Sequence, residues 1–524
     1  MRYTVTGSQM KQIDKDTIER IGIPSVVLME RAALAVADMA ELCGRKHYYG
    51  MPDGKGKKVR IGAVCGTGNN GADGIAAGRI LWGRGYEVTI FQAGSEKHKT
   101  PEYELQRQIA ERLGICLKPA SEFVIRDYDV VIDALFGIGL ARKIEGDYQK
   151  LVRKMAKGQD VDIVAVDIPS GIHADTGAVM GDAVKASVTV TFGYLKTGLL
   201  LYPGKEYAGK VQVKDIGFSD CSLKNAGWDG MVLGREDLAR LPKRPADSNK
   251  GTFGKLLLVA GSRGMCGAAY LSALAAYRVG AGLVRILTVP ENQTVLQTQL
   301  PEAIVEVLDF PAGMAIEETT ADRTGEEEKG QTGQVREDFR EKIRKYCDWA
   351  GVIVVGPGLG QEDYVEMLVE AVLEQAKSGI VLDADGLNAV AREPGLTKHF
   401  AGKAVVTPHM GEMERLTGKD VCELKADRVR AAREYAEKTG AVCVLKDSST
   451  VVADQSGNVY INGSGCSAMA KAGSGDVLAG VIGGLMAQGM TREDAAAYGV
   501  YIHGLAGERA EASSQASGPL SPSL

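Results

Sequence analysis

Short apolar runs alternate with longer amphipathic stretches along most of this chain. In the N-terminal part, Val59–Val64, Glu87–Gln92, Val130–Asp133, Ile163–Asp167 and Ser187–Phe192 have the length and side-chain content of buried strands. A second series follows at Lys255–Ala260, Leu283–Thr288, Val352–Val355, Ile380–Asp383, Ala404–Thr407, Val442–Lys446, Thr450–Ala453 and Val459–Asn462. Alternation of this kind predicts α/β architecture, with parallel sheets covered by helices on both faces. Ahead of the first series, Ser8–Ile21 and Val26–Leu42 carry helical spacing interrupted at Pro24-Ser25, and a basic connector runs from Arg45 to Lys58. The first unit closes near Val211–Gly217 and the pattern weakens from Phe218 to Gly230. Domains are therefore expected over 1–217 and 231–512, joined by a linker at 218–230. A polar segment, 311–337, lacks apolar periodicity and reads as a mobile surface insertion, and the Ser/Pro-rich end, 513–524, as a disordered tail.

Length and composition agree with this division. A chain of 524 residues exceeds one ordinary core, and 45% hydrophobic with 25% charged residues is usual for a globular protein. A net charge of −5 without a basic block argues against nucleic acid or an anionic membrane as partner. Nine cysteines without a Cys-x-x-Cys pair, several inside apolar runs, predict buried thiols in a reducing compartment. The six histidines are scattered, so zinc is not expected. No apolar segment reaches membrane-spanning length and no signal peptide opens the chain, so the expected location is the cytoplasm. A homo-oligomer binding small molecules is the expected assembly.

Candidate chemistry sits at strand ends. After Val59–Val64 comes Cys65-Gly66-Thr67-Gly68-Asn69-Asn70-Gly71-Ala72-Asp73-Gly74. It matches Gly-x-Gly-x-x-Gly, but the acid that would bind a dinucleotide ribose at the end of the second strand is missing. Two other strand ends read Asp133-Ala134-Leu135-Phe136-Gly137 and Asp167-Ile168-Pro169-Ser170-Gly171. Polar strand ends in an open α/β sheet converge on one crevice. Asn70, Asp133 and Ser170 can supply oxygen ligands to a monovalent cation, leaving Asp167 as acid or base; singly, each Asp could instead be a helix cap.

These motifs, with the opening Leu28-Met29-Glu30-Arg31-Ala32-Ala33, resemble the NAD(P)H-hydrate epimerases over about the first 217 residues. The resemblance implies a Rossmann-like domain that binds hydrated nicotinamide nucleotides and interconverts their R and S epimers, with potassium held by Asn70, Asp133 and Ser170. It also implies substrate contacts from Asn69, Asn70, Gly71, Ala72 and Asp73, from Gly137, Ile138, Gly139, Leu140, Ala141, Arg142 and Lys143, and from Asp167. Ala72 stands where many members have glycine and adds a methyl at the loop.

The second half carries Met469-Ala470-Lys471-Ala472-Gly473-Ser474-Gly475-Asp476 before the apolar, helix-forming run Val477–Met486. One reading joins an anion hole, made by glycine-rich backbone and a helix N-terminus, to Asp476 as an ionised base. The other makes Asp476 an N-cap. Around it stand the Gly/Pro turn after Val355, the carboxylates Asp383 and Asp385, and His409, with no Walker-type phosphate loop. This set resembles the ADP- or ATP-dependent NAD(P)H-hydrate dehydratases, of ribokinase-like fold, over about residues 231 to 512. The resemblance implies phosphorylation of the hydrate hydroxyl by a magnesium-bound nucleotide, then loss of phosphate. Asp476 would be the base and a substrate contact. Ala268, Gly358 and His409 would line the hydrate pocket, and Lys446, Asp447, Ser448, Ser449, Thr450 and Gly475 would meet the nucleotide. Asp447 stands where members often have glycine and adds negative charge there; Met410 replaces a common proline. The alternative is a vitamin-precursor kinase fused to a non-catalytic binding module.

Overall fold

The computed structural model describes residues 1–49, 58–95, 98–158, 160–308 and 326–515. It divides into two compact units, Arg2–Met231 and Val232–Leu524.

In the first unit a seven-stranded parallel sheet runs in the order Cys116–Pro119, Glu87–Gln92, Arg60–Cys65, Val130–Ala134, Asp162–Val166, Val188–Phe192, Lys210–Lys214. Alternate residues of each strand serve opposite helical layers, as the pleat requires. Ile61, Ala63, Val130, Ile132 and Val164 pack with Ala33, Val36 and Ala37 of the helix Ser25–Tyr49 and Ile75 and Ala76 of Asn69–Gly83. On the other face Val64, Val131, Ile163 and Ala165 meet Leu151, Val152 and Met155 of the helix Gly146–Met155. A short parallel pair, Arg2–Val5 with Leu195–Lys196, was not expected from the sequence, and neither was the edge strand Cys116–Pro119. Both are too short and too polar to show period.

Residues 218–230 are not a linker. They carry the helix Asp220–Ala226, whose Leu223 packs with Val5, Met10 and Ile13, and the first unit extends through Met231.

The second unit's sheet runs Ile304–Val307, Leu283–Thr288, Lys255–Val259, Val352–Val355, Gly379–Leu382, Ala404–Val406, Val442–Leu445, Val451–Ala453, Val459–Ile461. All neighbours are parallel until Val442–Leu445; the last two pairings are antiparallel. The helix Glu326–Trp349 occupies the second part of the segment expected as a mobile insertion; residues 311–325 lie outside the described residues. Its anchor is Phe339, Ile343 and Cys347, buried at helical spacing beyond the polar stretch. The expected tail begins inside the helix Arg492–Gln515, and 516–524 lie outside the described residues.

The helix Ser474–Ala487 crosses beside Cys266–Arg278 with almost no clearance. A Cβ on Gly480 would stand 2.1 Å from the Ser272 carbonyl oxygen, and one on Gly484 2.9 Å from that of Ala276. Small residues at i and i+4 thus let the two backbones approach and fix where the N-terminus of Ser474–Ala487 points. Gly480→Val is therefore expected to force the helices apart and to destabilise the second unit by about 2 kcal/mol or more. In urea titrations followed by circular dichroism, the transition of the second unit should move to lower urea and that of the first should stay. An unchanged midpoint would contradict this packing.

Candidate active sites

In the first unit a cavity of about 750 Å³ opens beside the C-terminal ends of the sheet strands. The loop Gly66–Gly68 turns into the helix Asn69–Gly83, whose N-cap is Gly68 and carries no capping side chain. Its first-turn amides are therefore left for a ligand. The turn is tight: a Cβ on Gly71 would lie 1.8 Å from the Gly66 oxygen. Of the expected contacts, Asn69, Asn70, Asp73, the run Gly137–Arg142 and Asp167 line the cavity. Gly71, Ala72 and Lys143 do not. Ala72 points its methyl into the core beneath the helix, so the extra carbon leaves the ligand face unaltered.

Asp167 follows the strand Asp162–Val166 with φ +66°, in the left-handed region that an Asp tolerates better than most side chains. Its Oδ1 accepts from Lys196 Nζ at 2.6 Å, Thr191 Oγ1 at 2.9 Å and Phe192 N at 3.3 Å. Lys196 is 0% exposed and also donates to Thr191 Oγ1 and the Phe192 carbonyl. A buried ammonium needs such partners. Sequence reasoning missed Lys196; its one signal is a lone charge inside the apolar run Val188–Leu201. Asp14, from the helix Gly7–Asp16, also lines the cavity and was missed. Burial, Asp167 and Asp14 hold the Asp73 carboxyl well above the usual carboxylate range.

Asp133 and Ser170 are fully buried and do not line the cavity. Ser170 donates from N and Oγ to the two Asp133 oxygens at 2.8 and 2.6 Å, and its Oγ accepts from Phe136 N at 2.9 Å. Burial pushes the Asp133 carboxyl up to about 6, against the hydrogen bonds from Ser170. Asn70 lies against Gly137, and its Nδ2 is buried without a partner among the described residues.

In the second unit Asp383 ends the strand Gly379–Leu382 and accepts from Lys446 Nζ at 2.7 Å and Thr407 Oγ1 at 2.6 Å. Lys446 N in turn donates to the Pro408 carbonyl at 2.8 Å, which brings the Thr407–His409 turn alongside. Glu412 stands 3.9 Å from Lys446 and accepts from His409 N at 2.7 Å. The helix Ser474–Ala487 starts at Gly473, φ +90°, again with no side-chain cap. Asp476 is the third residue of that helix and not its cap. A Cβ on Gly475 would be 3.5 Å from Lys446 Nζ and 3.9 Å from Asp383 Oδ2. Free first-turn amides, Lys446 and Asp476 thus share one place. Burial, followed by Asp383, pushes the Asp476 carboxyl up to about 6, and Lys446 opposes the shift.

Gly358, at φ +60°, meets Ala268: a Cβ there would lie 2.7 Å from the Ala268 methyl. Ser272, one turn along that helix, donates to the Asp476 carbonyl at 2.8 Å. Asp385 accepts from Gly360 N at 2.8 Å and is also felt by Asp476. The Gly/Pro turn after Val355, the Asp383–Asp385 turn, the His409 turn and the Asp476 helix thus meet in one region. Asp447 does not add a free charge, because Arg428 Nε donates to its Oδ2 at 2.7 Å. Ser449 is buried and Ser448 exposed. His503, in the helix Arg492–Gln515, was missed; burial and Lys446 push it down to about 4, so it stands neutral.

Residues 256–524 match the family model described as NAD(P)H-hydrate dehydratase, and residues 25–198 that described as YjeF-related protein N-terminus. The bifunctional NAD(P)H-hydrate repair enzyme Nnr of Thermofilum pendens is 37% identical over 508 residues, covering 96% of this chain and 90% of its own length. That of Moorella thermoacetica is 35% identical over 517 residues, covering 97% and 92%. A solved ADP/ATP-dependent NAD(P)H-hydrate dehydratase from Bacillus subtilis, co-crystallised with ATP/Mg2+, is 32% identical with a TM-score of 0.41, covering 52% of this chain and 87% of that one.

The Asp167–Lys196 pair permits a direct test of the first site. Lys196→Met leaves a buried carboxylate uncompensated and is expected to cost about 3–5 kcal/mol at neutral pH. Adding Asp167→Asn removes the stranded charge, so the double variant should recover most of that loss. Urea midpoints for wild type, the two single variants and the double variant check this; a double variant less stable than Lys196→Met contradicts it.

Proposed function

The chain belongs to the family of bifunctional NAD(P)H-hydrate repair enzymes, and on that premise we propose which of its residues carry each activity. Its first unit is the epimerase of hydrated NADH and NADPH, and its second the ADP- or ATP-dependent dehydratase. The kinase alternative falls away, since relatives matching both halves in one chain are repair enzymes.

The observation that carries the residue assignment is the meeting of Asp476, Lys446 and an uncapped helix N-terminus. Hydroxide is a poor leaving group, and phosphorylation supplies a better one. Asp476 takes the proton of the hydrate hydroxyl as that oxygen attacks the terminal phosphoryl group. Lys446 and the amides around Gly475 stabilise the charge that moves onto the phosphate oxygens. Ala268, Gly358 and His409 hold the hydrate, and the turn Lys446–Thr450 meets the nucleotide, with Asp447 fixed by Arg428. Among the described residues no three metal-ligating carboxylate, thiol or imidazole groups gather, so magnesium would come bound to the nucleotide's phosphates and neutralise their charge.

In the first unit Asp167 is the acid–base group, and Asn69, Asn70, Asp73 and Gly137–Arg142 bind the hydrate. The oxygen donors suit potassium: a buried Asp133 carboxylate with no cationic side chain on it among the described residues, the Ser170 hydroxyl, and the Asn70 amide carbonyl oxygen. Potassium bound there would supply the positive charge that Asp133 lacks and hold the Asn70 and Phe136 loops together. Free cysteines support a reducing, cytoplasmic location, and no helix among the described residues is long and apolar enough to cross a membrane.

Mixed NADH-hydrate epimers incubated with protein, nucleotide and magnesium should return NADH absorbance; no return with either ADP or ATP would sink this reading. Dehydration needs ionised Asp476, so its rate should be full above about pH 7 and fall about tenfold per unit below about pH 6. Asp476→Asn should slow dehydration by about 100- to 10,000-fold while the epimers still equilibrate. Folding should survive, since Gly473 and not Asp476 caps the helix.

A further inference from the structure

The helix Gly7–Asp16 and the turn that follows it present Met10, Asp14 and Ile18 to the first-unit cavity at spacings of four residues. One carboxylate therefore stands on that wall between two apolar side chains, and Lys11 of the same helix also lines the cavity. No described residue donates a hydrogen bond to it, although its neighbour Asp16 is bound twice by Arg20. This is the opposite of Asp167, whose Oδ1 is held by three donors including a buried ammonium. Four carboxylates line the cavity, Asp14, Asp73, Glu102 and Asp167, and the contrast in environment between Asp14 and Asp167 suits that pair to act as proton donor and proton acceptor.

Resting on the cavity being the epimerase site, we infer that Asp14 is a second catalytic residue there, the acid–base partner of Asp167. The chemistry asks for two such groups. Hydration of an enamine leaves the hydroxyl on the carbon bonded to the ring nitrogen. Inversion at that carbon follows if the hydroxyl leaves as water with the Asp14 proton, while the nitrogen lone pair forms a C=N bond. Water then adds to the other face, the C=N electron pair returns to nitrogen, and the proton of the added water passes to Asp167. A proton returned from Asp167 to Asp14 through solvent resets the pair. Nothing is oxidised or reduced, and the reverse direction exchanges the two roles. Burial, then Glu102 and Asp167, raise the Asp14 carboxyl above its ordinary value, which favours a proton on it at the start. Burial, then Asp167 and Asp14, raise the Asp73 carboxyl as well.

The test follows exchange of R and S hydrates by chromatography without nucleotide, with spontaneous exchange subtracted. Asp14→Asn should lower kcat for exchange about 100-fold or more in both directions, with KM little changed. Nucleotide-dependent dehydration of the S-hydrate should stay at the wild-type rate, and the urea transition of the first unit should keep its wild-type midpoint, which reports that the unit carrying Asp14 is folded. Asp14→Glu retains a carboxyl and should recover part of the exchange. In ¹⁸O-water each inversion should bring one solvent oxygen into the ring hydroxyl. A kcat for Asp14→Asn within about threefold of wild type, a loss confined to KM, or inversion without ¹⁸O uptake would overturn the role of Asp14. Asp167→Ala is measured alongside: if it exchanges like wild type, the cavity assignment itself fails, and Asp14 with it.

Discussion

Each unit of this protein is organised by an ammonium held against a buried carboxylate at a strand end. Lys196 stands 2.6 Å from Asp167 in the first and Lys446 2.7 Å from Asp383 in the second. An ion pair removed from water gains little net stability but tolerates almost no displacement, since either charge alone would be stranded. Each pair therefore fixes the turns around it. Lys196 ties Asp167 to Thr191 and Phe192, and Lys446 ties Asp383 to the His409 turn. The carboxylates we propose as reactive, Asp167 and Asp476, lie at or beside these pins.

The pairs do different work. In the first unit the pinned carboxylate is itself the one we propose as acid–base group, and it lines the cavity from a left-handed backbone position. In the second the pinned Asp383 is a neighbour that raises the proton affinity of Asp476, while Lys446 limits the rise. A base with a carboxyl near 6 is ionised at neutral pH yet avid enough to take a proton from an alcohol during attack. Both units use a helix whose N-cap is glycine, Gly68 or Gly473, and in both the missing cap leaves first-turn amides available. The repair logic joins the two. A stereospecific dehydratase strands one epimer, and inversion by the first unit returns that epimer to the pool.

Much of this was legible in the chain. Apolar runs bounded by glycine and polar residues placed the central strands to within about one residue, because a strand buried on both faces has little freedom in composition. The glycine-rich loops and strand-end acids were legible because close backbone approach and oxygen chemistry leave few residue choices. The edge strand Cys116–Pro119, the two-residue strand Leu195–Lys196 and the helix Asp220–Ala226 were not legible. Short elements gain their stability from neighbours, and neighbours distant in sequence leave no periodic trace.

By itself the sequence determined two α/β units, the succession of their central strands, and the motifs that carry phosphate and proton chemistry. Only the tertiary structure decided which side chains meet those motifs. Lys196 and Asp14 reach Asp167 from segments 29 residues ahead and 153 behind it in the chain. Arg428 neutralises Asp447 across a strand and a helix, and the Ala72 methyl turns inward. The reason is physical. Pattern along a chain records which face of an element is buried, whereas the compensation of a buried charge depends on what the fold brings within hydrogen-bond reach.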